Sequence, residues 1–176
     1  IAALEERTEG WIAGLQMAAI SMRDRQDVQG FIEGFTGNNR FILDYLMEEV
    51  LASRPPEIQR FLVYTSILNR LTAPLCDFIL ALNEISDLDQ EPGLETQTRS
   101  FPDSASVLNY LERANLFLVP LDDERTWYRY HHLFNDLLCA RLLKTQPALV
   151  PLLHREASAW LEREGFFAEA IHHLLA

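Results

Sequence analysis

Between Thr126 and Asp136 the period of the sequence changes within a few residues, and no other stretch narrows the choice of fold as much. Trp127, Tyr128, Arg129 and Tyr130 read as an alternating strand, whereas Phe134, Leu137, Leu138 and Leu142 recur at i, i+3, i+4 and i+8, the stripe of a core-facing helix. A strand that runs directly into a helix puts His131 and His132 at the junction, where the unbonded amides of a helix N-terminus attract anions such as phosphate. A histidine pair in so aromatic a run also fits packed core and surface, and the residues alone leave both readings open.

The chain before this junction is helical. Leu4, Trp11, Leu15, Ala18, Ala19 and Met22 are spaced for helix over Ile1–Arg23, with a break near Thr8–Gly10. Asp24–Asn39, with Gly30, Gly34 and Gly37, reads as a loop holding a short helical turn around Phe31–Phe35. Phe41, Ile42, Tyr45, Leu46 and Val50 make Arg40–Ser53 an amphipathic helix that Pro55 and Pro56 stop. Pro56 opens the next helix, continued by Ile58, Phe61, Leu62, Thr65 and Leu68, and Ala73-Pro74 starts another over Leu75–Leu82. Val107, Leu108, Leu111 and Ala114 mark a third over Ser104–Asn115. Asn83–Asp103, between the second and third, carries six acids against Arg99 and a Pro-Gly pair, and reads as a solvated excursion.

Leu116–Val119 reads as a buried strand, and the polar turn Asp122–Arg125 should fold Leu116–Leu121 onto Thr126–Tyr130 as a β-hairpin. Beyond the junction helix, Leu149, Leu152, Leu153, Ala157, Trp160 and Leu161 give Pro147–Arg163 an apolar side. Glu164-Gly165 then turns the chain into an antiparallel partner over Phe166–Leu175, the order of a tetratricopeptide-like helical hairpin. Helix, helix, helix, strand, turn, strand, helix is winged-helix architecture. The expected fold is therefore mainly α: a helical segment over 1–54, a winged-helix domain of three helices plus a β-hairpin over 55–145 with an acidic insertion at 83–103, and the start of a helical-repeat region over 146–176.

Winged helices usually place their third helix in the DNA major groove. Here that helix offers Asp103, Glu112 and only Arg113, and the wing turn holds three acids against Arg125. With 15 Lys and Arg against 26 Asp and Glu, the net charge of -11 repels a phosphate backbone, so protein or nucleotide is the expected contact. Cys76 and Cys139 are too few for a disulfide framework and read as small core residues of a reducing compartment. No stretch reaches the ~20 apolar residues of a membrane helix, and no segment resembles a signal peptide, so a cytoplasmic location with no membrane contact is expected. Ile1 at the start and a helix in progress over Glu169–Ala176 are expected of a piece of a longer polypeptide.

Catalytic chemistry is not expected of the chain on its own. His132 and Asp136 could share a helix face, but two ligands do not close a metal site. His154 falls on a separate helix from His172 and His173, with His154 read as a surface residue, and both cysteines read as buried.

Five motifs stand in order along nearly the whole chain: Glu9-Gly10-Trp11-Ile12-Ala13-Gly14-Leu15-Gln16; Phe61-Leu62 with Thr65-Ser66-Ile67-Leu68; Ala73-Pro74-Leu75-Cys76-Asp77; Leu111-Glu112-Arg113-Ala114-Asn115-Leu116-Phe117-Leu118; and Trp127-Tyr128-Arg129-Tyr130-His131-His132-Leu133-Phe134. Together they resemble the large ATP-binding LuxR-type transcriptional activators of bacteria related to the maltose regulator MalT. The resemblance implies a nucleotide-binding domain of the STAND class, a helical segment, a winged helix, a superhelical sensor and a C-terminal LuxR helix-turn-helix. This chain would hold the region from the end of the nucleotide-binding module to the first sensor repeat. The phosphate-binding loop would lie upstream, and no G-x-x-x-x-G-K-[ST] occurs in the 176 residues.

In STAND proteins a histidine at the start of the winged helix's last helix contacts the β-phosphate of ADP and holds the closed, inactive form. Tyr130-His131-His132-Leu133 is similar to the Met-His-Asp-Leu version of that motif, which places the contact on His131; His132 stands at the aspartate position and is the second candidate. Gly10-Trp11-Ile12 is similar to a Gly-x-Pro motif beside adenine, with Ile12 in place of proline, so Trp11 and Ile12 would supply apolar packing or merely a helix start. The resemblance implies a regulatory region that couples ADP-closed and ATP-open states to inducer sensing and DNA binding carried elsewhere. The full-length protein would be a slow signalling ATPase using ADP or ATP with Mg, none of it tightly bound to this piece. Its partners would be the other domains of the polypeptide, further copies on activation, a small-molecule inducer through the downstream sensor, and DNA only through the C-terminal domain. The alternative is a helical protein-protein interaction module with no nucleotide role, which predicts no phosphate-binding loop upstream.

Overall fold

The computed structural model describes residues 50–86 and 103–176. The helices expected before Val50, Trp11 and Ile12, and the middle of the acidic stretch lie outside the described residues.

Helix α1, Pro56–Thr65, starts where proline's fixed φ suits a first turn, and Glu57 lies there against the positive end of the dipole. Its buried residues Ile58, Phe61, Leu62 and Thr65 follow helical spacing. The helix stops at Thr65, before Leu68: Leu68 N donates to Thr65 O at 3.1 Å, and Ser66 Oγ donates to Val63 O at 2.7 Å. Helix α2, Ala73–Ser86, buries Leu75, Cys76, Ile79 and Leu80 and continues into the stretch expected as an excursion. Helix α3, Ser104–Arg113, is capped by Asp103, whose carboxylate accepts from Ala105 N and Ser106 N. Ser104 N donates to Asp77 Oδ1 at 3.1 Å, joining the starts of α2 and α3.

The wing is shorter than its sequence period predicts. Strand β1, Leu118–Pro120, pairs antiparallel with β2, Tyr128–Tyr130, in the register Leu118 to Tyr130 and Pro120 to Tyr128. Asp122 closes it by accepting from Thr126 N at 2.8 Å, Trp127 N at 3.2 Å and the Thr126 hydroxyl, a side-chain turn that competes with ladder pairing. On the other side Phe117, at φ 57, breaks the extended run. Leu116–Val119, expected as a buried strand, is half-buried. Leu71 adds a single antiparallel bridge to Tyr128, the two exchanging backbone bonds of 2.7 and 2.9 Å.

Helix α4, His132–Thr145, follows β2 directly and lays Leu133, Phe134, Leu137, Leu138 and Leu142 in the core. A 3₁₀ turn at Pro147–Leu149 leads into α5, Val150–Arg163, and Gly165 at φ 84 reverses the chain into α6, Phe167–Leu174. Helix α6 packs along α5, and α5 packs on α2, so the hairpin shares the core of the three-helix domain. Among the described residues no helix is long and apolar enough to cross a membrane.

Candidate functional site

His131 lies between β2 and α4, with extended backbone angles of φ -59 and ψ 133 that make it the helix N-cap. Its N–H donates to Phe117 O at 2.7 Å, and its carbonyl accepts from Phe134 N and Asn135 N at 3.0 and 2.9 Å. The ring turns inward: Nδ1 accepts from Leu133 N at 3.3 Å, a capping role usually given to Ser, Thr or Asp. Because the Nδ1 lone pair faces an N–H, the neutral ring carries its proton on Nε2, which is then its donor nitrogen. His131 is 5% exposed, packed edge-on to Phe117 at 5.9 Å and stacked on the half-buried His132 at 4.7 Å. The structure therefore separates the pair. His131 is a buried, oriented imidazole, and His132 is its stacking neighbour on the first helical residue.

The surroundings fix this position. The Tyr130 phenol meets Thr65 Oγ1 at 2.7 Å, and since that hydroxyl gives its proton to Phe61 O, also at 2.7 Å, the phenol is the donor. Burial holds the phenol neutral, its pKa well above the ordinary 10. The end of β2 is thereby tied to α1. The Phe117 ring lies 5.0 Å from that of Phe134, so the residue that bonds His131 N also packs on the helix His131 caps. Arg129 Nη1 donates to Tyr130 O at 3.2 Å, placing a guanidinium beside the peptide that precedes His131. The N-terminal end of the α4 dipole adds partial positive charge at the same junction.

Sequence patterning placed Thr65, Phe117 and Arg129 within a helix, a strand or a motif but gave none of them a role at the site. Asn115, a residue that tolerates positive φ, is a sequence sign of the tight α3–β1 link, but the positive φ of Phe117 carries none. The wing turn's Arg125 bonds Glu112 on α3 at 2.9 Å, and Glu112 also accepts from the Tyr128 hydroxyl at 3.2 Å. Its positive charge is thus spent within the domain.

The remaining groups do not converge on a nucleophile or a metal centre. Cys76 is fully buried, and burial pushes its thiol up out of the reactive range. Cys139 is half-buried, more open than the core residue expected; its thiol donates to Ser66 O at 3.2 Å and is also raised by burial. Among the described residues no group of three or more His, Cys, Asp and Glu side chains gathers as metal ligands. His154, expected at the surface, is half-buried, and its Nδ1 lies 2.9 Å from Nδ1 of His173, itself 3% exposed on α6.

A family model described as the MalT winged helix domain matches residues 47–150. Over 176 residues the chain is 31% identical to the serine/threonine-protein kinase PknK of Mycobacterium tuberculosis, covering 100% of this chain and 14% of the kinase. It is 32% identical over 169 residues to the HTH-type transcriptional regulator MalT of Klebsiella pneumoniae, covering 95% of this chain and 17% of the regulator. MalT of Vibrio campbellii is 30% identical over 173 residues, with 97% and 17% covered. The chain thus spans between 14% and 17% of the length of these relatives.

Proposed function

The chain belongs to the MalT winged helix domain family, and from that premise we propose that it is the regulatory winged-helix region of a larger nucleotide-dependent signalling protein. His131 is the proposed contact to the β-phosphate of ADP, with Nε2–H as donor. The observation that supports this most is the use of Nδ1 to cap α4: it leaves the neutral ring in the tautomer that carries its proton on Nε2, the form able to donate to an oxyanion. His132, Trp11 and Ile12 are secondary candidates in the same nucleotide site.

In this reading ADP with Mg favours a closed arrangement of the polypeptide and ATP an open one. The shift follows from differential contacts with the diphosphate rather than from chemistry performed by this chain. A slow ATPase upstream, an inducer-binding sensor downstream, self-association on activation and a C-terminal DNA-binding domain complete the proposal, in a cytoplasmic protein divided at about 54 and 145 as its sequence pattern indicates. Phe167, Ile171 and Leu174 leave an apolar stripe exposed on α6, the face that a following unit covers in a helical array.

Transcriptional control is the output supported by the MalT relatives. The match to PknK over the whole of this chain, 14% of that kinase, favours a second reading, in which the same region regulates a kinase. Both outputs use the region in the same way. The test is hydrogen exchange on the full-length protein loaded with ADP or with ATP. Amides of Phe117 and His131–Phe134 are expected to be better protected with ADP, and identical protection in both states would leave the interaction-module alternative in its place.

A further inference from the structure

Outside the junction, the most unusual group is Arg70. Its guanidinium lies against two aromatic rings from different parts of the fold, 4.3 Å from the Trp127 centroid and 4.6 Å from that of Phe166. Nη2 bonds Glu169 on α6 at 2.5 Å, while Nε is buried without a hydrogen-bond partner. Trp127 and Phe166 also meet edge-to-face at 5.3 Å, and Trp160 stacks on Phe166 at 6.5 Å. A weakly hydrated, planar cation suits such an aromatic corner better than lysine does.

What makes the contact informative is the backbone beside it. Leu71, the next residue, exchanges two backbone hydrogen bonds with Tyr128, the next residue after Trp127. Arg70 therefore grips the wing twice, through its ring contact and through the adjoining bridge, and grips α6 through Glu169 and Phe166. Tyr128 is two residues before the end of β2 at Tyr130, and His131 follows.

We infer that Arg70 is a coupling joint through which the α5–α6 hairpin and strand β2 move as one unit, so that a displacement in the helical-repeat region reaches the start of α4. This coupling holds whatever ligand His131 meets. Arg70 acts through its neighbours and is a positioning residue.

The test needs a disturbance that begins in the hairpin and a reporter in the wing. Ser158→Ala removes the bond from Ser158 Oγ on α5 to Ala170 O on α6, 2.9 Å long and internal to the hairpin. In the 176-residue chain this variant is expected to speed exchange of the α6 amides and of the Leu71 and Tyr128 amides together, by about fivefold each. In an Arg70→Gln background the α6 amides still respond to Ser158→Ala, but Leu71 and Tyr128 no longer do. Arg70→Lys keeps the charge and part of the response, and it serves in place of Arg70→Gln if the latter does not fold. The inference is overturned if Leu71 and Tyr128 ignore Ser158→Ala in the Arg70 protein, or respond to it equally in the Arg70-substituted background.

Discussion

Acidifying the chain from about pH 8 to about pH 4.5 is expected to remove roughly 2.5 kcal/mol of stability through His173. Burial is the main cause: it disfavours the charged imidazole and, with repulsion from His154 and His172, lowers the pKa from 6.5 to about 4, against a smaller opposing effect of Glu169. His154 is shifted the same way, by burial first and then His172. The geometry agrees, because two Nδ1 atoms 2.9 Å apart can share one proton but cannot both carry one. A base whose folded pKa is depressed stabilises the fold fully above its unfolded pKa, and that stability is lost as pH falls from about 6.5 towards about 4. At about 1.4 kcal/mol per pKa unit, the whole window is worth at most about 3.5 kcal/mol, most of it gone by about pH 4.5. Asp103 and Asp122, both lowered by hydrogen bonds, lose their contributions only below about pH 4 and do so with or without His173. The assay is urea unfolding of wild type and His173→Leu at several pH values. The variant is expected to show less than half the wild-type loss between about pH 8 and about pH 4.5, and equal slopes for the two proteins would refute the reasoning.

Two further substitutions probe local parts of the fold. Thr65→Val takes away the acceptor of the buried Tyr130 phenol and should cost about 2 kcal/mol in denaturant titrations; a loss below about 0.5 kcal/mol would mean that the phenol does not anchor β2. Gly165→Ala places no Cβ within 4 Å of another atom, so its cost comes only from holding alanine at φ 84, about 1 kcal/mol in the same titrations.

The features that follow from chain-local periodicity were legible in the sequence. Phe134, Leu137, Leu138 and Leu142 do line one side of α4, Tyr128 and Tyr130 do alternate inward on β2, and the prolines and Gly165 mark element ends. Where β1 and β2 stop was not, because Asp122 takes amides that an extended ladder would have used. The Leu71 bridge is one residue long and has no period to read. Contacts between distant segments were equally hidden: nothing local to Arg70 or to His154 announces Trp127, which the wing brings in, or Phe166 and His173, which arrive only when α5 and α6 fold back. At the candidate site the position of the histidine pair was readable, but the inward turn of the His131 ring depends on Leu133 N and Phe117.

The measurement that bears most directly on the proposed role of this region is the ADP dissociation rate of the full-length protein with His131 replaced by alanine. Losing a charge-assisted hydrogen bond to the β-phosphate, worth about 1.5 to 3 kcal/mol, predicts release roughly 10- to 100-fold faster and a raised basal output, with His132→Ala having a smaller effect. Unchanged ADP release and unchanged basal output in the His131 variant would contradict the account.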